Sequence, residues 1–231
     1  MKDAYILCIE TSGPQCSVAL SHNGECISEC VTDDAWHHSQ YLTQHISDCL
    51  SKVNLSIKDM HSIAISHGPG SYTGLRVGSS TAKGICYALD IPLISIPTLK
   101  IIAQPYVKDL SVGMHILATI DARRDEIYYN IYDKNLKELQ STQSHVLTPD
   151  SFLNFRKGGL YVTGDGAKKT RDMLHNSGDE SFKYRSSYPS AQYMTELVHN
   201  KYISKKYEDI AYYSPFYMKP PNITTRKKPL F

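Results

Sequence analysis

The residues best placed to bind a ligand form a glycine loop that runs from His67 to Gly78. The loop follows a short apolar run, Ile63-Ala64-Ile65, and precedes a segment with helical periodicity, so the sequence predicts strand, loop and helix in turn. Such a loop points the free N–H groups of a helix start at whatever lies above the sheet edge, commonly an anion. Gly68 and Gly70 fit a phosphate cradle and a packing turn equally well, and neither the Walker A pattern nor the dinucleotide fingerprint is present.

Three other segments carry groups that can approach a ligand. Glu10, Thr11 and Ser12 end the first predicted strand, where their loop can meet a phosphate. Gly164-Asp165-Gly166 follows a later strand and can approach a nucleotide closely, although a tight turn uses the same residues. Asp121-Ala122-Arg123 can orient a ligand from a hairpin, but we favour an Asp–Arg pair that closes the turn.

The sequence provides no pattern for a metal site or a nucleophilic triad. His37, His38 and His45 share one predicted helix, and no two of them are four residues apart, as a helical zinc site requires. No Gly-x-Ser-x-Gly elbow is present. Of the six cysteines only Cys26 and Cys30 are close in sequence, and we expect core packing for all six rather than a metal or redox role.

Composition indicates an ordinary globular protein. The 231 residues are 41% hydrophobic and 21% charged, with a net charge of +2 that gives no electrostatic case for autonomous nucleic-acid binding. No apolar run approaches the roughly 20 residues that span a bilayer. Glu10 interrupts the N-terminal apolar stretch, so we expect no signal peptide, no membrane association and a cytoplasmic location.

Periodicity and turn residues predict the elements that position these groups. In the first half we expect three antiparallel strands, then helix, strand, helix and strand, at 4–10, 16–20, 25–31, 36–53, 62–66, 72–89 and 93–96. The second half is less regular, with strands at 114–120, 127–132 and 158–164 and a closing helix at 191–204. We find no internal repeat.

The glycine loop, the opening Tyr5–Ser12 and the segment Cys16–Leu20 together resemble the TsaB (YeaZ) family. TsaB proteins are accessory subunits of the bacterial machinery that makes threonylcarbamoyladenosine in tRNA. Further matching pieces lie at 121–123, 164–166 and 215–219. With the order of elements, the resemblance implies an α/β fold of the actin-like ATPase (ASKHA, RNase H-like) type, with a mixed five-stranded sheet flanked by helices in the first of two subdomains. We expect subdomain I at 1–103 plus 190–214, subdomain II at 104–189 and a tail at 215–231.

Two departures from the catalytic paralogue, TsaD, argue against catalysis. The resembling TsaD loop carries an aspartate where this chain has Pro14, which offers neither charge nor donor. TsaD also binds a metal through two histidines on a helix, and the comparable stretch here, 96–104, contains no histidine. We therefore expect a non-catalytic chain that holds no metal and no cofactor by itself.

The helix at 72–89 combines small and apolar residues on more than one side, which indicates burial on more than one side. Each of its three glycines costs about 1 kcal/mol relative to alanine, and close helix–helix approach is the usual reason to keep them. The resemblance implies that the first two helices pair with those of a TsaD-type partner. The predicted interface consists of His38, Tyr41, Leu42, His45, Tyr72, Gly74, Leu75, Val77, Gly78, Thr81 and Ala82.

The resemblance thus implies a scaffold subunit that binds and activates a TsaD-type transferase acting on adenosine 37 of tRNAs that read ANN codons. It further implies a homodimer when the chain is alone, a TsaE-type ATPase reached through the complex, and indirect contact with tRNA. ATP or ADP at the complex interface stays open, with phosphate loops at Glu10, Thr11, Ser12, Gly68, Gly70, Gly164, Asp165 and Gly166. The alternatives are a free-standing ATPase or phosphotransferase that uses those loops and, far behind, a glycoprotease-type metallopeptidase.

Overall fold

The computed structural model describes residues 3–32, 38–155, 158–174 and 182–219. They form two five-stranded mixed sheets with flanking helices, which confirms the predicted α/β class. The first-half elements are β1 Tyr5–Glu10, β2 Cys16–His22, β3 Glu25–Thr32, α1 His38–Ser51, β4 Ser62–Ser66, α2 Tyr72–Leu89 and β5 Leu93–Ile96. The second-half elements are α3 Thr98–Ala103, β6 His115–Asp121, β7 Glu126–Tyr132, β8 Gln143–Val146, β9 Leu160–Gly164, α4 Ala167–Leu174, β10 Phe182–Arg185 and α5 Thr195–Ile203.

The two sheets share one topology. The first has the order β3-β2-β1-β4-β5, and the second has the order β8-β7-β6-β9-β10. In each sheet the first three strands pair antiparallel, whereas the fourth and fifth add in parallel. The second half is therefore as regular as the first, contrary to our expectation. The sequence did not indicate this regularity because β8 and β10 are short edge strands whose sequence carries little alternation.

Four apolar clusters stack the elements in layers. Helices α1 and α2 cover one face of the first sheet, and α5 covers the other, where Met194 and Val198 are fully buried. Helix α4 covers the outer face of the second sheet. Helix α3 lies between the sheets, with Ile101 packed toward the first and Leu99 and Ile102 toward the second. Helix α5 corresponds to the closing helix predicted at 191–204, and it returns to the first sheet as predicted.

The ends of α1 and α2 follow the expected chemistry. The Ser71 hydroxyl caps α2 by accepting a hydrogen bond from Gly74 N, and Asp90 ends the helix in the left-handed conformation at φ 54°. The described part of α1 begins at His38, and the predicted start at Trp36 lies outside the described residues. None of the six cysteines forms a disulfide; five are buried, whereas Cys26 is exposed, so core packing does not extend to it.

Candidate functional site

A cleft of about 990 Å³ opens between the two sheets at the carboxyl ends of their central strands. This is the edge where ligands bind in open α/β sheets. One wall consists of the β1–β2 turn and the start of α2, and the other consists of the β6–β7 hairpin and the β9–α4 turn. We call it the central cleft. It brings together three of the predicted phosphate-loop residues, namely Ser12, Gly70 and Asp165.

Glu10 is held inside the protein rather than in the cleft. It is fully buried, and its Oε1 accepts hydrogen bonds from Ser12 N at 2.6 Å, Ser12 Oγ at 2.5 Å and Ser66 Oγ at 3.0 Å. Burial raises the pKa of this carboxyl above its usual value, because desolvation outweighs the hydrogen bonds that favour the anion. Because Glu10 is buried and accepts two hydrogen bonds from Ser12, it stabilises the β1–β2 turn; we call this its role as a brace.

Close packing explains why the loop has glycine at positions 68 and 70. A Cβ on Gly68, which has φ +107°, would lie 2.3 Å from Phe216 O, and a Cβ on Gly70 would lie 2.4 Å from Ser12 O. Thr11 Oγ1 donates to Gly74 O at 2.8 Å, so α2 sits directly on the β1–β2 turn. Of the two alternatives for this loop, the packing turn accounts for these contacts. The first residues of α2 nevertheless face the central cleft.

The Gly164-Asp165-Gly166 segment is likewise a tight turn. Gly164, at φ +103°, approaches Thr119 O so closely that a Cβ would lie 1.8 Å from it. Asp165 Oδ1 accepts a hydrogen bond from Asp121 N at 2.9 Å, which ties β9 to the end of β6. Burial raises the pKa of the Asp165 carboxyl. Only Asp165 of this turn lines the cleft.

The hairpin at Asp121 closes differently from our expectation of an Asp–Arg pair. Asp121 Oδ1 accepts from the backbone N–H of Arg123 at 2.6 Å, and its ion pair is with Lys169 at 2.5 Å. Backbone closure leaves the guanidinium groups of Arg123 and Arg124 exposed, and both residues line the central cleft. The carboxylate therefore shapes the turn, and the arginine side chains stay available.

The chain from Tyr213 to Lys219 forms a strap across the cleft mouth, which the sequence had assigned largely to a tail. Phe216 N donates to His67 O at 2.7 Å, and the rings of Tyr217 and Tyr72 lie 4.9 Å apart. Lys219 forms an ion pair with Glu126 and lies over the Tyr128 ring. The strap thus connects the glycine loop to β7. No local pattern announces it, because every contact joins distant parts of the sequence.

No trio of histidine, cysteine, aspartate or glutamate side chains is arranged to hold a metal ion within the described residues. His45 Nε2 lies 2.7 Å from Thr32 Oγ1, so it serves the contact between α1 and β3. The side chain of His38 lies outside the described part. In the same described ranges, no helix is both long and apolar enough to span a membrane.

The residues of the predicted partner interface differ in how far they are exposed to solvent. Six of its residues are buried in the chain's own core and cannot present side chains to a partner: Leu42, His45, Gly74, Leu75, Gly78 and Ala82. Tyr41, Val77 and Thr81 are half-buried, and Tyr72 is exposed. Gly74 and Gly78 pack on Thr11, so contact with the β1–β2 turn, not helix–helix approach, explains them.

Residues outside that prediction lie on the exposed side of the two helices, one turn beyond the exposed Arg76 on α2. On α2 they are Ser80, Gly84, Tyr87 and Ala88, and on the neighbouring α1 they are Thr43, Gln44 and Ser47. None of these side chains is charged, and Tyr87 is 84% exposed. A Cβ on Gly84 would meet nothing within 4 Å. We call these seven residues the two-helix face. Helical spacing from Val77 and Thr81 places Gly84 and Ala88 on this side of α2, although neither is in the predicted interface.

Comparisons with known proteins agree with one another. A family model described as TsaD, tRNA N6-adenosine threonylcarbamoyltransferase, matches residues 32–218. The chain is 28% identical to the tRNA threonylcarbamoyladenosine biosynthesis protein TsaB of Haemophilus influenzae, with 99% of each chain covered. It is 27% identical to TsaB of Escherichia coli, with 97% of this chain and 98% of the relative covered.

Solved structures share the fold. YeaZ from Pseudomonas aeruginosa superposes with a TM-score of 0.79 at 22% identity, covering 93% of this chain and 99% of that one. An activator of 2-hydroxyisocaproyl-CoA dehydratase from Clostridium difficile, solved with bound ADPNP, reaches a TM-score of 0.50 at 9% identity, covering 89% of this chain and 98% of that one. The predicted actin-like ATPase fold is thereby confirmed.

Proposed function

The chain belongs to the TsaB (YeaZ) family of tRNA threonylcarbamoyladenosine biosynthesis proteins, and on that premise we propose that it is the non-catalytic subunit that binds and activates a TsaD-type transferase. The complex would transfer the threonylcarbamoyl group from its adenylate to N6 of adenosine 37 in tRNAs that read ANN codons. The site of action is the cytoplasm. We further propose that ATP or ADP binds at the interface of the complex and that a TsaE-type ATPase acts on the chain through the complex.

The observation that carries this proposal is Gly84. A glycine in the middle of an exposed helix costs about 1 kcal/mol relative to alanine, and no group of the described chain needs the space at this position. Gly84 lies among uncharged side chains on the two-helix face, of which Ser80 and Ala88 are small and Tyr87 is large. A surface of this kind allows another helix pair to approach closely. The same face would pair two copies when the partner is absent.

Reconstitution tests the proposal. A TsaD-type enzyme, threonylcarbamoyl adenylate and unmodified tRNA are combined with and without the chain, and threonylcarbamoyladenosine is quantified by mass spectrometry of nucleosides. We expect little product from either protein alone and rapid formation when both are present. An equal rate without the chain would contradict the proposal.

A free-standing ATPase remains the second candidate, because the central cleft unites Ser12, Gly70 and Asp165. Against it, Glu10 is buried as a brace and Pro14 lies at the cleft wall where a carboxylate would be needed. Magnesium-dependent ATP hydrolysis by the isolated chain, abolished by Asp165→Asn, would favour the ATPase.

A further inference from the structure

A cysteine outside the central cleft lies in contact with a lysine at the end of α1. Lys52 Nζ is 3.2 Å from the sulfur of Cys30 on β3, and it donates a second hydrogen bond to Glu29 O at 2.8 Å. Lys52 forms an ion pair with none of the residues that the structure describes. The ammonium group is therefore held by a backbone carbonyl and a sulfur atom.

Hydrogen bonds fix the backbone that carries this lysine. Lys52 N donates to Asp48 O at 3.0 Å, which continues the last turn of α1. Ser28 Oγ donates to Cys49 O at 2.8 Å, which ties the same turn to β3. The distance between the Lys52 nitrogen and the Cys30 sulfur is thus set by the packing of α1 on β3.

Solvent reaches Cys30 in part. Cys30 is 9% exposed and Lys52 is exposed beside it, whereas the neighbouring Cys49 is fully buried. Burial raises the pKa of the Cys49 thiol to about 11, so this thiol stays protonated at neutral pH and reacts slowly with oxidants. A small oxidant in water therefore meets the sulfur of Cys30 before that of Cys49.

Cys26, the exposed cysteine, is too far along the chain to form a disulfide with Cys30. The two lie four residues apart on β3, and strand geometry separates such Cα atoms by more than about 10 Å. A disulfide requires Cα atoms within about 7 Å of each other. Lys52 Nζ, in contrast, already lies in contact with the Cys30 sulfur.

We propose that Cys30 and Lys52 form a redox-sensitive cross-link, in which hydrogen peroxide converts their contact into a sulfur–nitrogen bond. The sulfur attacks one peroxide oxygen and the O–O bond breaks, which leaves a sulfenic acid and releases water. Lys52 gives a proton to solvent, and its electron pair attacks the sulfur. The S–O bond then breaks, and the departing hydroxide takes up one nitrogen proton and leaves as water. Peroxide is reduced by two electrons, which come from the thiol and the amine.

This cross-link gives Cys30 a role beyond the core packing that the sequence led us to expect. It ties the end of α1 covalently to β3, and a thiol reductant reverses it by attacking the sulfur. Because α1 carries Thr43, Gln44 and Ser47, oxidation restrains the α1 part of the two-helix face. The inference itself depends only on the contact between Cys30 and Lys52, and not on the proposed function.

The test uses the full chain with Cys26→Ser, which removes the exposed thiol that would otherwise react by itself. The reduced protein is treated with hydrogen peroxide, quenched with catalase and unfolded in the presence of iodoacetamide, and mass spectrometry is performed before and after alkylation. We expect the mass before alkylation to fall by about 2 Da, one alkylated cysteine to be lost, and a peptide that joins Cys30 to Lys52. Dithiothreitol should restore the alkylated cysteine.

Lys52→Arg keeps the positive charge, but its guanidinium stays protonated and cannot attack the sulfur. In that variant Cys30 should proceed to the sulfinic acid, with a gain of about 32 Da. Lys58→Arg, at another exposed lysine, is the matched control and should leave the cross-link intact. Loss of two alkylated cysteines with the same fall in mass would indicate a disulfide to Cys49 and overturn the proposal. So would oxidation of Cys30 without a cross-link when Lys52 is present, or a Cys30 that does not react.

Discussion

A Cβ atom on Gly78 would lie 2.4 Å from Thr11 Oγ1, so the middle of α2 rests on the β1–β2 turn without space for a side chain. Six residues further along the helix, a Cβ on Gly84 would meet nothing within 4 Å. One helix thus contains a glycine required by the fold and another that the fold does not explain. This contrast separates the roles of the two glycines and can be tested directly.

Alanine substitution should act in opposite directions at these positions. Gly78→Ala forces Thr11 to move and endangers its hydrogen bond to Gly74, and we expect the free energy of unfolding to fall by about 1–3 kcal/mol. Gly84→Ala gains helix propensity without a clash and should raise it by up to about 1 kcal/mol. Urea denaturation of both variants measures the difference. If Gly84→Ala lowered the free energy of unfolding as much as Gly78→Ala does, the conclusion that Gly84 is surrounded by open space would be wrong.

Glu10 should make stability depend on pH. Its pKa is raised above the ordinary value of 4.5 in the folded protein, so folding favours the protonated form. This contribution is complete below pH 4.5 and is lost as the pH rises through the folded pKa, at up to about 1.4 kcal/mol per pH unit. Glu10→Gln, which cannot ionise, should remove that dependence and gain stability relative to the parent between pH 5 and pH 8. If the free energy of unfolding, measured by urea titration, changed with pH equally in the two proteins, the raised pKa of Glu10 would be contradicted.

The strap should loosen when its ion pair is removed. Lys219→Met breaks the contact with Glu126, and we expect faster hydrogen exchange at 217–219 with no change in the urea midpoint, since exposed ion pairs add little stability. Lys134→Met, at an exposed lysine that forms no ion pair with any described residue, is the control. Lys219 lowers the pKa of Glu126, so the pair is present above pH 4.5 and is lost as the pH falls through that lowered pKa. Exchange at 217–219 that is identical in parent and variant would count against the strap.

Local patterns predicted the first sheet and its helices because strand alternation, helical periodicity and turn residues act over a few residues. They did not reveal the duplicated topology, since the edge strands β8 and β10 are short and half-exposed. The cleft residues were predicted one loop at a time. Their roles were not, because the burial of Glu10 and the contact of Phe216 with Gly68 depend on packing between distant segments.

The predicted interface shows the same limit. Helical periodicity identified α2 as buried on more than one side and separated a stripe that covers the sheet from a side that carries Val77, Thr81, Gly84 and Ala88, yet the predicted interface still included residues of the covering stripe. Leu75 and Ala82 are in the core, whereas Gly84 and Ala88 are exposed. The exposed set follows from the position of α1 beside α2, which is a tertiary contact.

The central claim is that the two-helix face binds the TsaD-type partner, and the most direct measurement is light scattering on a sizing column after mixing the two proteins. Gly84→Arg places a long charged side chain in open space, so the monomer should remain folded by circular dichroism. Asn200→Arg, at an exposed position on α5, is the matched control. We predict a stable heteromeric complex for the parent and the control and separate proteins for Gly84→Arg. A complex of normal mass and stability with Gly84→Arg would contradict the account.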